Sequence, residues 1–365
     1  TEERVSPVEP DGAVVEIVRN AGVSFAVAPD QLQASLPSET RAIINGKHAE
    51  LDLSILRRDQ AGDPLAYPAY TTVTSDKVLK AKLGVVDDAA TSTISKITFT
   101  KSEHYLANGY KTELIGWYPA VSTAPADAVT YASGVVTFKV DGERDLMLSH
   151  ASDGSKKDGA QFSHYASVSA KLLTFSHLLT QIKVTAYAVD EDAQKAWGKI
   201  TGIKLKEQGA TTCAVTLPGT KDSEIVFTQD ASATDKTLSL VAKKADDDAV
   251  ITYPLELPLA TLGGTNGTTV TAENDTACGY AMFQPLTTAG SKLTLLVSTE
   301  KATDWPVVIP LPANGTNGNG FLKGVAYGIR LKFTAKEIEP SGQITAWEDY
   351  EWPTGDDDFK GEIEL

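Results

Sequence analysis

Cysteine and methionine are scarce in this 365-residue chain, with two of each, and no apolar run approaches the ~18 residues of a membrane-crossing helix. So small a cysteine count fits a reducing or an oxidising compartment alike. Basic residues are short too. The chain has 33 Lys plus Arg against 48 Asp plus Glu, a net charge of −15. That sign repels phosphate backbones and anionic bilayers, which argues against nucleic acid as a partner and against electrostatic membrane docking. Helical periodicity is nearly absent. The five histidines, His48, His104, His150, His164 and His177, show no metal-ligand spacing, and there is no G-x-S-x-G or Walker loop. Neither a catalytic residue nor a cofactor or metal site is expected. The chain begins at Thr1 without Met or a visible signal peptide, as expected of a mature or trimmed form.

What is present is a succession of short β-branched runs between turn clusters. Val14–Val18, Val23–Ala28, Leu51–Leu56, Ile94–Thr100, Glu113–Tyr118 and Val135–Val140 are each bounded by Gly, Pro, Asp, Asn or Ser. That punctuation is typical of a sandwich or barrel. The length suits two domains. After the polar, Gly-rich stretch "SHASDGSKKDGAQFSHYAS" the pattern restarts from Leu172, which places the expected boundary near Ser163–Ser169. In "LLTFSHLLTQIKVTAYAV", Ile182, Val184, Ala186 and Ala188 alternate with Gln181, Lys183, Thr185 and Tyr187, which predicts a strand with one face in and one out. "DEDAQKAWGK" predicts one short helix, with acids at its start where the dipole favours them. Further strands are expected at Ile200–Lys206, Cys213–Leu217, Glu224–Thr228, Leu238–Ala242, Val250–Leu257, Gly279–Phe283, Lys292–Ser298 and Val325–Thr334. The expected domains are residues 1–166 and 167–365.

Candidate chemistry is thin. Cys213 and Cys278 both fall in the expected second domain, where a disulfide and two buried thiols both fit. "DGERDLML" and "KKADDDAV" read as solvated turns. Trp117, Trp197, Trp305, Trp347 and Trp352 are dispersed and form no evident sugar platform. At the C-terminus, Pro340-Ser341-Gly342 reads as a break that separates Val325–Thr334 from a second apolar stretch, Ile344–Trp352.

The ordered series "LTFSHLLTQIKVTAYAV", "ITGIKLK", "MFQPLTTAGSKLTLLVST", "FLKGVAYGIRLKFTAKEI" and a closing segment ending in Trp resembles the fimbrillin family, the subunits of type V pili of Bacteroidales. Upstream, "TRAIINGKHAELDLSIL" and "ELIGWYPA" resemble that family's first domain. The resemblance implies an all-β protein of two transthyretin-like β-sandwich domains in tandem, exported as a lipoprotein to the outer membrane and cell surface. It also implies adhesion rather than catalysis, and cleavage by an Arg-specific surface protease that removes the first strand. The next subunit would then donate a strand to the vacated groove. On the matching positions the cut falls between Arg41 and Ala42, the strand that leaves lies within Val14–Ala28, and a chain beginning at Thr1 is the uncut form without its lipidated Cys. Partners would be other pilin subunits, the protease and a surface receptor.

An incoming strand must alternate apolar side chains along an open edge. The tail offers Ile344, Ala346, Trp347, Tyr350 and Trp352 as the donor candidate, or else it completes its own sheet. A rival from another class is a glycan-binding surface lipoprotein that does not polymerise.

Overall fold

The computed structural model describes residues 13–14, 18–20, 23–25, 27–28, 50–84, 96–122, 129–156, 162, 171–209, 211–229, 231, 236–245, 249–259, 262–263, 269–270, 275–314, 319–334 and 338–346. Strands far outnumber helices, so the chain is all-β. It forms two compact units, and neither is a continuous piece of sequence. One unit is Pro37–Leu178 with Ala210–Thr234, and the other is Thr1–Leu36, Leu179–Gly209 and Asp235–Leu365.

In the first of these, Leu51–Asp59 is central. It pairs antiparallel with Val78–Leu83 on one side and with Thr112–Tyr118 on the other, and the sheet continues to Ile97–Phe99 and to Met147–Ser149 and Phe175–His177. Both faces of Leu51–Asp59 are covered. Leu53 and Ile55 pack with Ala81 and Leu114, while Leu56 on the opposite face is equally buried. The second sheet runs Ile225–Gln229, Thr211–Thr216, Val135–Val140 and Thr130–Ala132. Trp117, fully buried, stacks on Tyr131 of that sheet with ring centres 5.9 Å apart. Thr211–Thr216 pairs with Val135–Val140 over six residues, so strands expected in the second domain complete a sheet of the first half of the chain. A single cut at residue 166 does not describe the units.

The other unit packs a sheet ordered Val18–Asn20, Val23–Phe25, Ile338–Ala346, Val325–Phe333, Thr180–Ala188 and Thr276–Phe283, and a sheet ordered Thr237–Ser239, Ile200–Lys206, Leu293–Thr299 and Trp305–Ile309. One core joins them, built from Ile182, Val184, Leu205, Phe283, Leu295, Val307, Tyr327, Leu331 and Phe333 among others. The expected helix is present at Glu191–Trp197. The Asp190 carboxylate accepts from the Ala193 N–H at 2.7 Å and so fixes its start. The helix docks through Trp197, whose Nε1 donates to the Thr334 carbonyl at 2.7 Å and whose ring meets Trp305 and Phe333 edge-on.

Several expectations change. The expected outer face of Thr180–Ala188 is only partly open: Lys183 and Thr185 are half-buried, but Gln181 and Tyr187 are as buried as the core residues beside them. Arg330 lies over the Tyr187 ring at 4.4 Å and covers it. Val250–Leu257 is not a strand. It makes bridges only at Lys243–Val250 and Ile200–Leu255, and Pro254 lacks the N–H that a ladder there would need. "DGERDLML" is not wholly solvated, since Asp145 is fully buried and binds His177 Nδ1 at 2.6 Å. Cys213 and Cys278 are free and buried, and they lie in different units rather than together in one. Each faces a packed interior, which is the blander of the two readings of the cysteines.

Candidate assembly edge

The start of the tail singled out in the sequence falls in the C-terminal strand pair, Val325–Phe333 and Ile338–Ala346. Val325–Phe333 alternates Tyr327, Ile329, Leu331 and Phe333 into the core. The Tyr327 hydroxyl is held twice, donating to the Gly320 carbonyl at 2.9 Å and accepting from the Leu322 N–H at 2.8 Å. On the opposite face Arg330 donates to Asp275 Oδ1 at 2.6 Å, and Thr185 donates to the other oxygen of the same carboxylate at 3.2 Å. The strand is therefore fixed on both faces. One of its edges is filled by Thr180–Ala188, parallel, from Ala326 opposite Gln181 to Phe333 opposite Ala188.

The remaining edge carries the end of the chain. Ile338–Ala346 runs antiparallel along all nine residues, from Phe333 opposite Ile338 to Val325 opposite Ala346. The Pro340-Ser341-Gly342 segment is thus not a break. It lies inside the strand, opposite Leu331, Arg330 and Ile329. Proline fits a strand where its missing N–H would not face the paired neighbour. The sequence signal was available: Ile338, Pro340, Gly342, Ile344 and Ala346 alternate with Glu339, Ser341, Gln343 and Thr345 straight through the supposed break.

The N-terminal segment reaches the same place. Val23 pairs with Ile338 in parallel, and Val27 and Ala28 pair with Ile329 and Gly328, positions that also face Gly342 and Gln343. Expected in the first domain, the segment within Val14–Ala28 instead joins the unit that holds the C-terminal strands. A strand has two edges, and one edge of Val325–Phe333 is already taken by Thr180–Ala188. Both ends of the chain therefore address a single edge.

Of the residues singled out in the sequence, Ile344 and Ala346 lie in this strand, opposite Tyr327 and Val325. Arg41, Ala42, Trp347, Tyr350 and Trp352 lie outside the described residues. Burial raises the Cys213 thiol from 9.0 to about 12 and pushes Cys278 up as well, with Asp275 adding to the effect at Cys278. Among the described residues no group of three His, Cys, Asp or Glu is placed to hold a metal ion. Of the described tryptophans, Trp117 is fully buried, and Trp197 and Trp305 are half-buried against each other, so none presents an exposed ring to a sugar. No described helix is long and apolar enough to cross a membrane.

A family model described as fimbrillin-like matches residues 58–347, and the chain belongs to that family. No curated protein matches the chain. Among solved structures, a candidate cell adhesion protein from Bacteroides uniformis is 14% identical, covering 88% of this chain and 100% of that one at a TM-score of 0.47. A fimbrial protein from Bacteroides vulgatus is 13% identical, covering 81% and 93% at 0.42. The tip fimbrial protein Mfa3 from Porphyromonas gingivalis, with a C-terminal truncation, is 11% identical, covering 86% and 99% at 0.34.

Proposed function

We propose that this chain is a non-catalytic subunit of a surface pilus, carried to the outer membrane as a lipoprotein and serving adhesion. In this reading subunits join by exchanging strands. An Arg-specific protease cuts between Arg41 and Ala42, the N-terminal segment leaves, and a terminal strand of a neighbouring subunit takes up the edge it vacates. The observation that carries the reading is the sharing of one sheet edge by the two ends of the chain, at Gly328 and Ile329. The fimbrillin-like match supports it. An edge of this kind is a template for another strand. Each ladder hydrogen bond contributes roughly 0.5–1.5 kcal/mol net, so a nine-residue ladder holds firmly while remaining exchangeable.

The test compares cleaved chains that end at Leu365 or at Lys336. Multimers on an unboiled denaturing gel are expected from the first and not from the second. Equal multimers from the shorter chain would remove the C-terminal strand as donor.

A further inference from the structure

The two basic residue types are not mixed along this chain. It has 26 lysines and seven arginines, 33 together. The first 46 residues contain three of the arginines, Arg4, Arg19 and Arg41, and no lysine. The rest contains all 26 lysines and only Arg57, Arg58, Arg144 and Arg330.

The structure withholds each of these four from a protease. Arg57 and Arg58 lie within the Leu51–Asp59 strand, opposite Leu114 and Glu113. Arg57 binds Glu103 at 2.6 Å and Asp59 at 3.1 Å, and Arg58 binds Glu113 at 2.8 Å and the Pro68 carbonyl at 2.6 Å. Arg330 lies in a strand paired on both sides, opposite Thr185 and Ser341, with its guanidinium on Asp275. Arg144 is in a turn, yet its own N–H and that of Glu143 both donate to Asp141 Oδ1 at 2.9 Å. The residues that follow it, Asp145 and Leu146, are 0% and 1% exposed. Lysine is treated differently. Lys101, Lys221, Lys236 and Lys301 are exposed and lie outside strands. Endoproteases act on exposed, extensible backbone, so these lysines are accessible and the four arginines are not.

We infer that the folded body after Arg41 is built so that an arginine-specific endoprotease digests it only where it has unfolded. The inference rests on the reading of the chain as a protease-activated subunit, and adds that one enzyme both matures folded subunits and clears misfolded ones. The chemistry is ordinary hydrolysis, water adding across the peptide bond after Arg. The four concealed sites then report on folding, because cleavage within a folded body follows the small population that opens.

The full chain is incubated with an arginine-specific endoprotease and, in parallel, with a lysine-specific one, and the products are read by intact mass. The arginine enzyme is expected to leave a body beginning at or before Ala42 and uncut thereafter, while the lysine enzyme cuts within the body. In Phe138→Ala, and in the unaltered chain at rising urea, cleavage after Arg57, Arg58 and Arg144 is expected to rise at least tenfold. Native cleavage after any of the four at a rate within tenfold of that at the N-terminal sites overturns the inference. So does a body equally resistant to the lysine enzyme, or an arginine-specific rate that urea leaves unchanged. A native chain cut by neither route at arginine, Arg41 included, keeps the concealed sites and removes the activation step of the proposed function.

Discussion

The Arg58 guanidinium lies 3.5 Å from the centre of the Tyr70 ring, and both side chains donate to the same oxygen of Glu113. Tyr67 approaches the same guanidinium at 5.3 Å. The stretch from Asp59 to Tyr70, weakly patterned in sequence, is thereby tied to the sheet by one cation. Arg58 and Glu113 side chains are 10% and 14% exposed, so removing one strands the other in a poor solvent. Arg58→Ala is expected to cost about 3–5 kcal/mol, and Arg58→Met with Glu113→Gln clearly less. Urea denaturation of the three chains checks this, and equal losses in the single and double variants would sink the explanation.

Alkaline pH should unfold the protein early. Burial holds the Cys213 thiol at about 12 instead of 9.0, and burial first, with Glu113 second, raises Tyr70. Both groups keep their protons longer when folded. Their contribution is complete below the unfolded values and is lost as pH rises, for Cys213 between about 9 and 12. Stability measured in urea should fall steadily above pH 9. The native chain at pH 8 should also resist iodoacetamide at both cysteines and take up two equivalents in denaturant.

Gly279 marks a position where only glycine fits. It sits at φ +124°, beside the bulge between Val184 and Thr185, and an added Cβ would meet the Val241 carbonyl oxygen at 2.3 Å. Gly279→Ala should therefore destabilise by more than ~1 kcal/mol, while Gly202→Ala, with open space around it, should be neutral or slightly stabilising. Thermal unfolding of the two variants side by side tests the contrast.

Asp145 is fully buried and its described partner is His177. His177→Leu alone should cost about 1–3 kcal/mol, and His177→Leu with Asp145→Leu should recover part of that, because replacing both partners leaves no buried polar group without its hydrogen bond. A double variant no more stable than the single would show that the pair matters for its shape alone.

Local pattern was legible wherever a strand alternates between clear turns. Val135–Val140 and Ile200–Lys206 stand at the expected bounds, and Asp190 announced the helix that follows it. Pairing was not legible. Nothing in Thr211–Thr216 says that its neighbour is Val135–Val140 rather than a strand nearer in sequence. Val78–Leu83 escaped notice because Lys80 and Lys82 interrupt its apolar character while pointing to solvent. Gln181 and Tyr187 looked like an outer face because alternation records polarity, not what comes to lie over the strand. At the C-terminus, Pro340 and Gly342 carry the usual signs of a break, yet the strand runs through both, opposite Leu331 and Ile329.

The discontinuous division of the chain bears on the order in which it can fold. The first unit waits for residues 210–234, and the second has its central parallel pair closed only when Val325–Phe333 meets Thr180–Ala188. Contacts of such long sequence separation form slowly, and loop closure precedes any return from them. The first unit can close once residues 210–234 have left the ribosome, whereas the second cannot finish until the C-terminal strands are out. Synthesis therefore sets an order, with the unit around Leu51–Asp59 closing first and the unit that holds both chain ends closing last.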